Sequence, residues 1–192
     1  MNMKQILFNT EMVRVIMEGR KTVTRRVVKP QPPATSVVRK RGCTWDWSFW
    51  ADCDMGHIMK LPYHPGDILW VRETWAKNPF GDGYIYPTEV PGAGQKWKPS
   101  IHMPREAARL FLRVTDVRVE RLQDINLDPP GPKNQVVREG LRYLSDFIAV
   151  WDRTIKPADL HLYGWDANPW IQVIEFERIS KDEALGGGED GN

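Results

Sequence analysis

Glu18-Gly19-Arg20-Lys21-Thr22-Val23-Thr24-Arg25-Arg26 places a glycine, a lysine, two hydroxyls and three arginines within nine residues. Just upstream, Met12, Val13, Ile16 and Met17 recur at helical spacing behind Asn9 or Thr10, either of which can cap a helix. Gly19 falls where helices commonly end on a left-handed residue. From Lys21 to Val28 the pattern alternates as in a strand, and Pro30, Pro32 and Pro33 stop it. A short first strand over 4–8 precedes the helix. The opening is therefore strand, helix, glycine turn, basic strand.

A second decisive stretch is Gly66-Asp67-Ile68-Leu69-Trp70-Val71-Arg72-Glu73-Thr74-Trp75. Pro65-Gly66-Asp67 is turn chemistry, and Ile68–Trp75 reads as a strand with a carboxylate in its middle. Leu110–Glu120 is a further strand. Val137, Leu141, Leu144, Ile148 and Trp151 form one apolar stripe, which predicts a single helix over 134–153. Trp170–Ile179 closes the pattern as a strand with Trp170, Gln172, Ile174 and Phe176 on one face. Residues 30–65 and 76–105 lack clear periodicity and are expected to be loop insertions. The glycine-rich, acidic tail over 181–192 has nothing to bury and is expected to be disordered. Strands and helices do not alternate regularly, which argues against a doubly wound parallel sheet. The expectation is one α+β domain over 1–180, a small, mixed, mostly antiparallel barrel with flanking helices.

At 192 residues, 41% hydrophobic and 27% charged, the chain can bury a real core. The formal charge is only +2, yet Arg20, Lys21, Arg25, Arg26, Lys29, Arg39, Lys40 and Arg41 crowd the first quarter. No apolar run approaches a membrane span, the start lacks a signal-peptide layout, and Cys43 and Cys53 are too few for a disulfide scaffold. A cytoplasmic protein is expected. Cys43, Cys53, His57 and His64 match no compact zinc spacing, so neither metal nor cofactor is predicted. Nine tryptophans are many for this length. Most suit core packing, while Trp45 and Trp47 beside Val38-Arg39-Lys40-Arg41-Gly42 pair flat faces with cations, as single-stranded nucleic-acid grooves do. A solvated loop with tucked indoles fits the same residues.

The turn Gly19-Arg20-Lys21-Thr22-Val23-Thr24-Arg25-Arg26 resembles the Gly-x-Lys-x-x-x-x-Arg signature of the ASCH family. Gly66 to Glu73 resembles that family's second block. The resemblance implies a PUA-like β-barrel associated with RNA and modified nucleosides in bacteria and their phages. The family's best-understood enzymes hydrolyse the amide of N4-acetylcytidine with a lysine, a threonine and a glutamate, which by position are Lys21, Thr24 and Glu73. Where the signature often carries a glutamate just before its arginine, this chain has Arg25 or Thr24. Arg20, Arg25, Arg26, Arg72 and Trp75 are expected to bind substrate.

The chemistry stands on its own terms. Thr24 can act as nucleophile if Lys21 accepts its proton, which requires burial or neighbouring arginines to lower the lysine pKa. Glu73 serves either as acid or as half of a structural ion pair, with Lys21 or Arg26 as partner. One obstacle is geometric: in a regular strand Lys21 and Thr24 point to opposite faces. Three expectations follow: an amidohydrolase on free or polymeric N4-acylated cytidine, a non-catalytic binder of RNA or a modified base, and an assembly protein of phage type.

Overall fold

A computed structural model describes residues 3–33, 37–40, 47–50, 57–59, 61–90, 94–125 and 134–186. Its frame is a five-stranded sheet of β1 (Lys4–Leu7), β2 (Val23–Val27), β6 (Ile68–Arg72), β9 (Phe111–Arg121) and β10 (Trp170–Ile179), in the order β1-β6-β9-β10-β2. Only β1 and β6 run parallel; the other pairings are antiparallel. The expectation of an α+β fold with a mostly antiparallel sheet holds, and five α-helices accompany the described strands. Among the described residues no backbone ladder joins β1 to β2, so the sheet keeps two free edges.

The long strands follow from alternation. In β10, Ile174 and Phe176 enter one apolar cluster while Ile171 and Val173 enter another, as a period of two requires. The first cluster draws Ile6, Leu69, Val71, Leu112 and Val114 from the neighbouring strands, together with Val28 just beyond β2. Helix α1 (Thr10–Met17) covers it with Val13 and Ile16. Fully burying side chains of this size stabilises the fold by about 1.5–3 kcal/mol each. The Asn9 side chain caps α1, accepting from the Met12 amide at 2.8 Å, and Gly19 ends it at φ 73°. Met17 is instead exposed.

The opposite face of β2 and β10 is covered by α2 (Gln135–Arg138) and α3 (Leu144–Thr154), which bring Val136, Phe147 and Trp151 onto Val23, Ile171 and Val173. The single helix expected over 134–153 is therefore two helices. Gly140 breaks it at φ 83°, where a Cβ would lie 2.8 Å from Val15 Cγ2 and 3.3 Å from Lys21 Cβ. Only glycine meets both demands.

The segment over 30–65 is not wholly loop. β3 (Val37–Lys40), β4 (Trp47–Trp50) and β5 (His57–Met59) form a separate antiparallel sheet in that order. Arg41, Gly42, Cys43, Trp45, Cys53 and 187–192 of the tail lie outside the described residues. The second insertion contains the hairpin of β7 (Ala76–Lys77) and β8 (Tyr84–Ile85). After it come single 3-10 turns at Ser100–His102 and Arg105–Ala107. α4 (Leu160–Tyr163) precedes β10, and α5 (Lys181–Ala184) follows it.

Candidate functional site

After Gly19 the chain is pinned before β2 begins. The Lys21 amide donates to the Val15 carbonyl at 3.1 Å, and the Thr22 amide to the Arg138 carbonyl at 2.9 Å. Lys21 also forms an isolated backbone bridge with Glu139. Lys21 is thus outside the regular strand, held between the ends of α1 and α2, while Thr24 lies inside it.

That placement removes the geometric obstacle. β2 is an edge of the sheet, so side chains from both of its faces can reach round the free edge. Lys21, Thr24, Arg25 and Arg26 all line one cavity of about 340 Å³. Leu7 of β1, the other edge strand, lines it too, and the Arg26 guanidinium donates to the Leu7 carbonyl at 2.7 Å. The cavity therefore occupies the unpaired seam between the two edges. Its remaining wall includes Phe8, Met12, Leu141, Phe147, Val150 and Trp151. The Phe8 ring lies 5.9 Å from Lys21 Nζ and 5.2 Å from the Arg26 guanidinium carbon.

The carboxylate beside Lys21 is Glu139. Lys21 Nζ forms a short ion pair with Glu139 Oε2 and donates to the Glu139 carbonyl at 3.2 Å. Arg25 Nη1 donates to Glu139 Oε1 at 2.9 Å, and Arg25 Nη2 bonds the Gln135 side chain and reaches Glu120 at 3.4 Å. All three charged residues are at least 95% buried, with exposures of 3% for Lys21, 4% for Arg25 and 5% for Glu139. Burial lowers the Lys21 pKa from its ordinary value, with Arg26 and Arg25 adding to the effect and Glu139 opposing it. Burial alone would raise the Glu139 pKa, but Lys21 and Arg25 outweigh it and hold the carboxyl below its ordinary range. A carboxylate shared between two cations can lose one of them as a charge and still be compensated by the other.

An ionic chain behind the site fixes Arg25. Glu120 accepts from Arg118 Nε at 2.9 Å, and Arg118 and Arg138 both bond Glu175, at 2.5 and 2.6 Å for their shortest contacts. These charges lie on the sheet face that α2 covers, so the helix bearing Glu139 is tied to β9 and β10. Arg25 Nε is buried and has no hydrogen-bond partner among the described residues.

Glu73 belongs to a different cluster, with Arg109. It follows the end of β6 rather than sitting within a strand, and it is 1% exposed. Its partner is Arg109, not Lys21 or Arg26, through two parallel bonds of 2.9 Å. Arg109 in turn stacks over Tyr86 at 3.9 Å, and burial pushes the Tyr86 hydroxyl up to about 12. Glu73 does not line the cavity, although its neighbour Thr74 does.

The remaining expected residues divide similarly. Arg20 is exposed, paired with Glu18, and donates to the Gly140 carbonyl at 3.3 Å. Arg72 bonds Gln5 Oε1 at 2.7 Å and the Ile101 carbonyl. Trp75 is packed against Tyr84 with ring centroids 5.4 Å apart and Lys98 4.9 Å away. None of these three lines the cavity. Glu139, Phe147 and Trp151 were not anticipated at the site; the glycine after Glu139, inside an otherwise helical pattern, is the signal that marks a chain break there.

Among the described residues no cluster of three or more His, Cys, Asp or Glu is placed to hold a metal. Cys43 and Cys53 lie outside those residues, as does the His57 side chain, and the His64 amide donates to Asp67 at 2.7 Å. No described helix is long and apolar enough to cross a membrane. Comparison with protein-family models, curated proteins and solved structures finds no significant match.

Proposed function

We propose that the chain is a cytoplasmic ASCH-type protein with a PUA-like core, and that its seam cavity hydrolyses the exocyclic amide of N4-acetylcytidine-type nucleosides. The observation that carries this is that Lys21 and Thr24 line one cavity together with the Arg26 cation and the apolar side chains of Phe8, Met12, Leu141, Phe147 and Trp151. Thr24 Oγ1 attacks the acyl carbonyl while neutral Lys21 accepts the hydroxyl proton. The carbonyl oxygen gains negative charge beside the Arg26 guanidinium. As the C–N bond breaks, Lys21 returns the proton to the departing cytosine amine, giving cytidine and an acyl-threonine. Water, deprotonated by Lys21, then releases acetate and restores Thr24.

Glu139 orients Lys21, and Arg25 keeps Glu139 compensated while Lys21 is neutral. Glu73, held by Arg109, supports the loop that presents Thr74. The phenyl and indole of Phe147 and Trp151 give a base an apolar surface to rest on.

Incubation with N4-acetylcytidine, followed by chromatography, tests the proposal. Cytidine and acetate in equal amounts are expected; no cytidine at high protein concentration contradicts it. A non-catalytic module for RNA or a modified base has one observation in its favour: the Lys21 ammonium is engaged by Glu139, and a lysine that stays charged is no base. Such a module would retard labelled single-stranded RNA, with affinity falling steeply as salt rises, and would release no cytidine.

A further inference from the structure

We infer that a second cavity, of about 370 Å³ at the ends of α1 and β10 and the start of α5, is a binding site for a phosphate monoester. Arg109, Arg178 and Lys181 line it together with Met17, Leu110 and Ile179, and it shares no residue with the seam cavity. No carboxylate lines it. Cations of one sign around a hollow with partly apolar walls concentrate a positive field there. Arg109 is already matched, by Glu73 at 2.9 Å and by Glu89. Arg178 and Lys181 have no acid within ion-pair distance among the described residues, because the nearby Glu177 and Glu183 both pair with Arg113. Arg178 Nη1 donates to the Met17 carbonyl at 3.1 Å, which holds the guanidinium in place and satisfies an acceptor at the negative end of α1.

Two unmatched charges set the ligand. A phosphate monoester carries about −1.5 to −2 at pH 7 on three acceptor oxygens, which Arg178 and Lys181 together compensate. A carboxylate or a phosphodiester brings a single charge and leaves one cation unmatched. Ser180, also on the wall, adds a donor: its Oγ accepts from the Glu183 amide at 3.1 Å, and its hydroxyl hydrogen remains to be given. The side chains of Met17, Leu110 and Ile179 offer the organic part of the ester an apolar contact. Arg178, Ser180 and Lys181 are all exposed, so the ligand reaches them from solvent. This site stands or falls separately from the chemistry of the seam.

Calorimetry of the full chain with phenyl phosphate, and with dimethyl phosphate and benzoate as singly charged controls at constant ionic strength, tests this. Phenyl phosphate is expected to bind roughly tenfold more tightly than either control, the worth of one further hydrogen bond between charged groups. Arg178→Gln and Lys181→Gln should each weaken it by roughly the same factor. Arg14→Gln, which removes an exposed cation of α1 outside the cavity, should leave it unchanged. If a cavity variant fails to fold, nitrogen-15 spectra of the unaltered protein carry the test: phenyl phosphate should shift the backbone amides of residues 17, 110 and 178–181 and not those of 21–26. Short single-stranded RNA reads the source of the ester. Binding through Arg178 and Lys181 by a 5′-phosphorylated strand and not by its 5′-hydroxyl twin places the monoester on a nucleic-acid end; binding by neither strand makes it a free small molecule. Equal binding of the two strands through those residues overturns the assignment, as do equal binding of the controls, affinity unchanged in both cavity variants, or no binding of phenyl phosphate.

Discussion

Glu73 and Glu139 are two buried carboxylates with opposite surroundings. Glu73 meets a single guanidinium in a two-bond fork, the geometry that leaves least freedom to either partner. Glu139 divides its oxygens between an ammonium and a guanidinium on the wall of a cavity. The first arrangement locks a loop. The second can change its proton count and remain compensated. A carboxylate within an apolar stretch thus announces that a cation is near, while the number of cations and the presence of open space decide whether chemistry is possible.

The contrast can be broken most forcefully through turnover. Lys21→Met should lower release of cytidine by about 10²–10⁴-fold, the usual worth of a positioned general base, whereas Glu73→Gln should stay within a few-fold of the unaltered protein. Loss of activity in Glu73→Gln at unchanged stability would reverse the two roles. Stability gives the next largest difference. Glu139→Ala strands two buried cations and should cost about 3–5 kcal/mol in denaturant unfolding. Glu73→Ala leaves Arg109 with Glu89 and Thr88 and should cost about 1–3 kcal/mol. Equal costs would show that sharing a carboxylate confers no special dependence.

Acid sharpens the same contrast. Because the folded protein holds the Glu139 proton more weakly than the unfolded chain, its contribution is whole above the ordinary value of 4.5 and is lost as pH falls through the lower folded value. Glu139→Gln should therefore flatten the fall in stability below that pH. Conversely, kcat should rise with pH through an inflection below the ordinary lysine value of 10.5, as Lys21 becomes neutral. The smallest effect belongs to the surface: Arg20→Ala, which removes an exposed pair with Glu18, should change stability by about 0–1 kcal/mol.

Local rules made much of this frame legible. β10 begins and ends at the expected residues because its alternation serves two apolar faces, and α1 follows from Asn9 at one end and Gly19 at the other. What the pattern hid was decided by contacts distant in sequence. Gly140 splits a convincing helical stripe because Val15 and Lys21 press against it. The β3-β4-β5 sheet sits in a stretch whose prolines and glycines mask its short strands. At the site, Lys21, Thr24, Arg25 and Arg26 were legible as one cluster. Their carboxylate was not, since Glu139 lies over a hundred positions away in the pairing with Lys21, and nothing local to Glu73 distinguishes Arg109 from a nearer cation.

Release of cytidine from N4-acetylcytidine by the unaltered protein and by Thr24→Val, measured with cytidine binding on the same samples, tests the central claim that the seam cavity is a reaction centre. Turnover in the first, its loss in the second and equal cytidine binding by both are predicted. Turnover that survives without the Thr24 hydroxyl, or none from the unaltered protein, contradicts it.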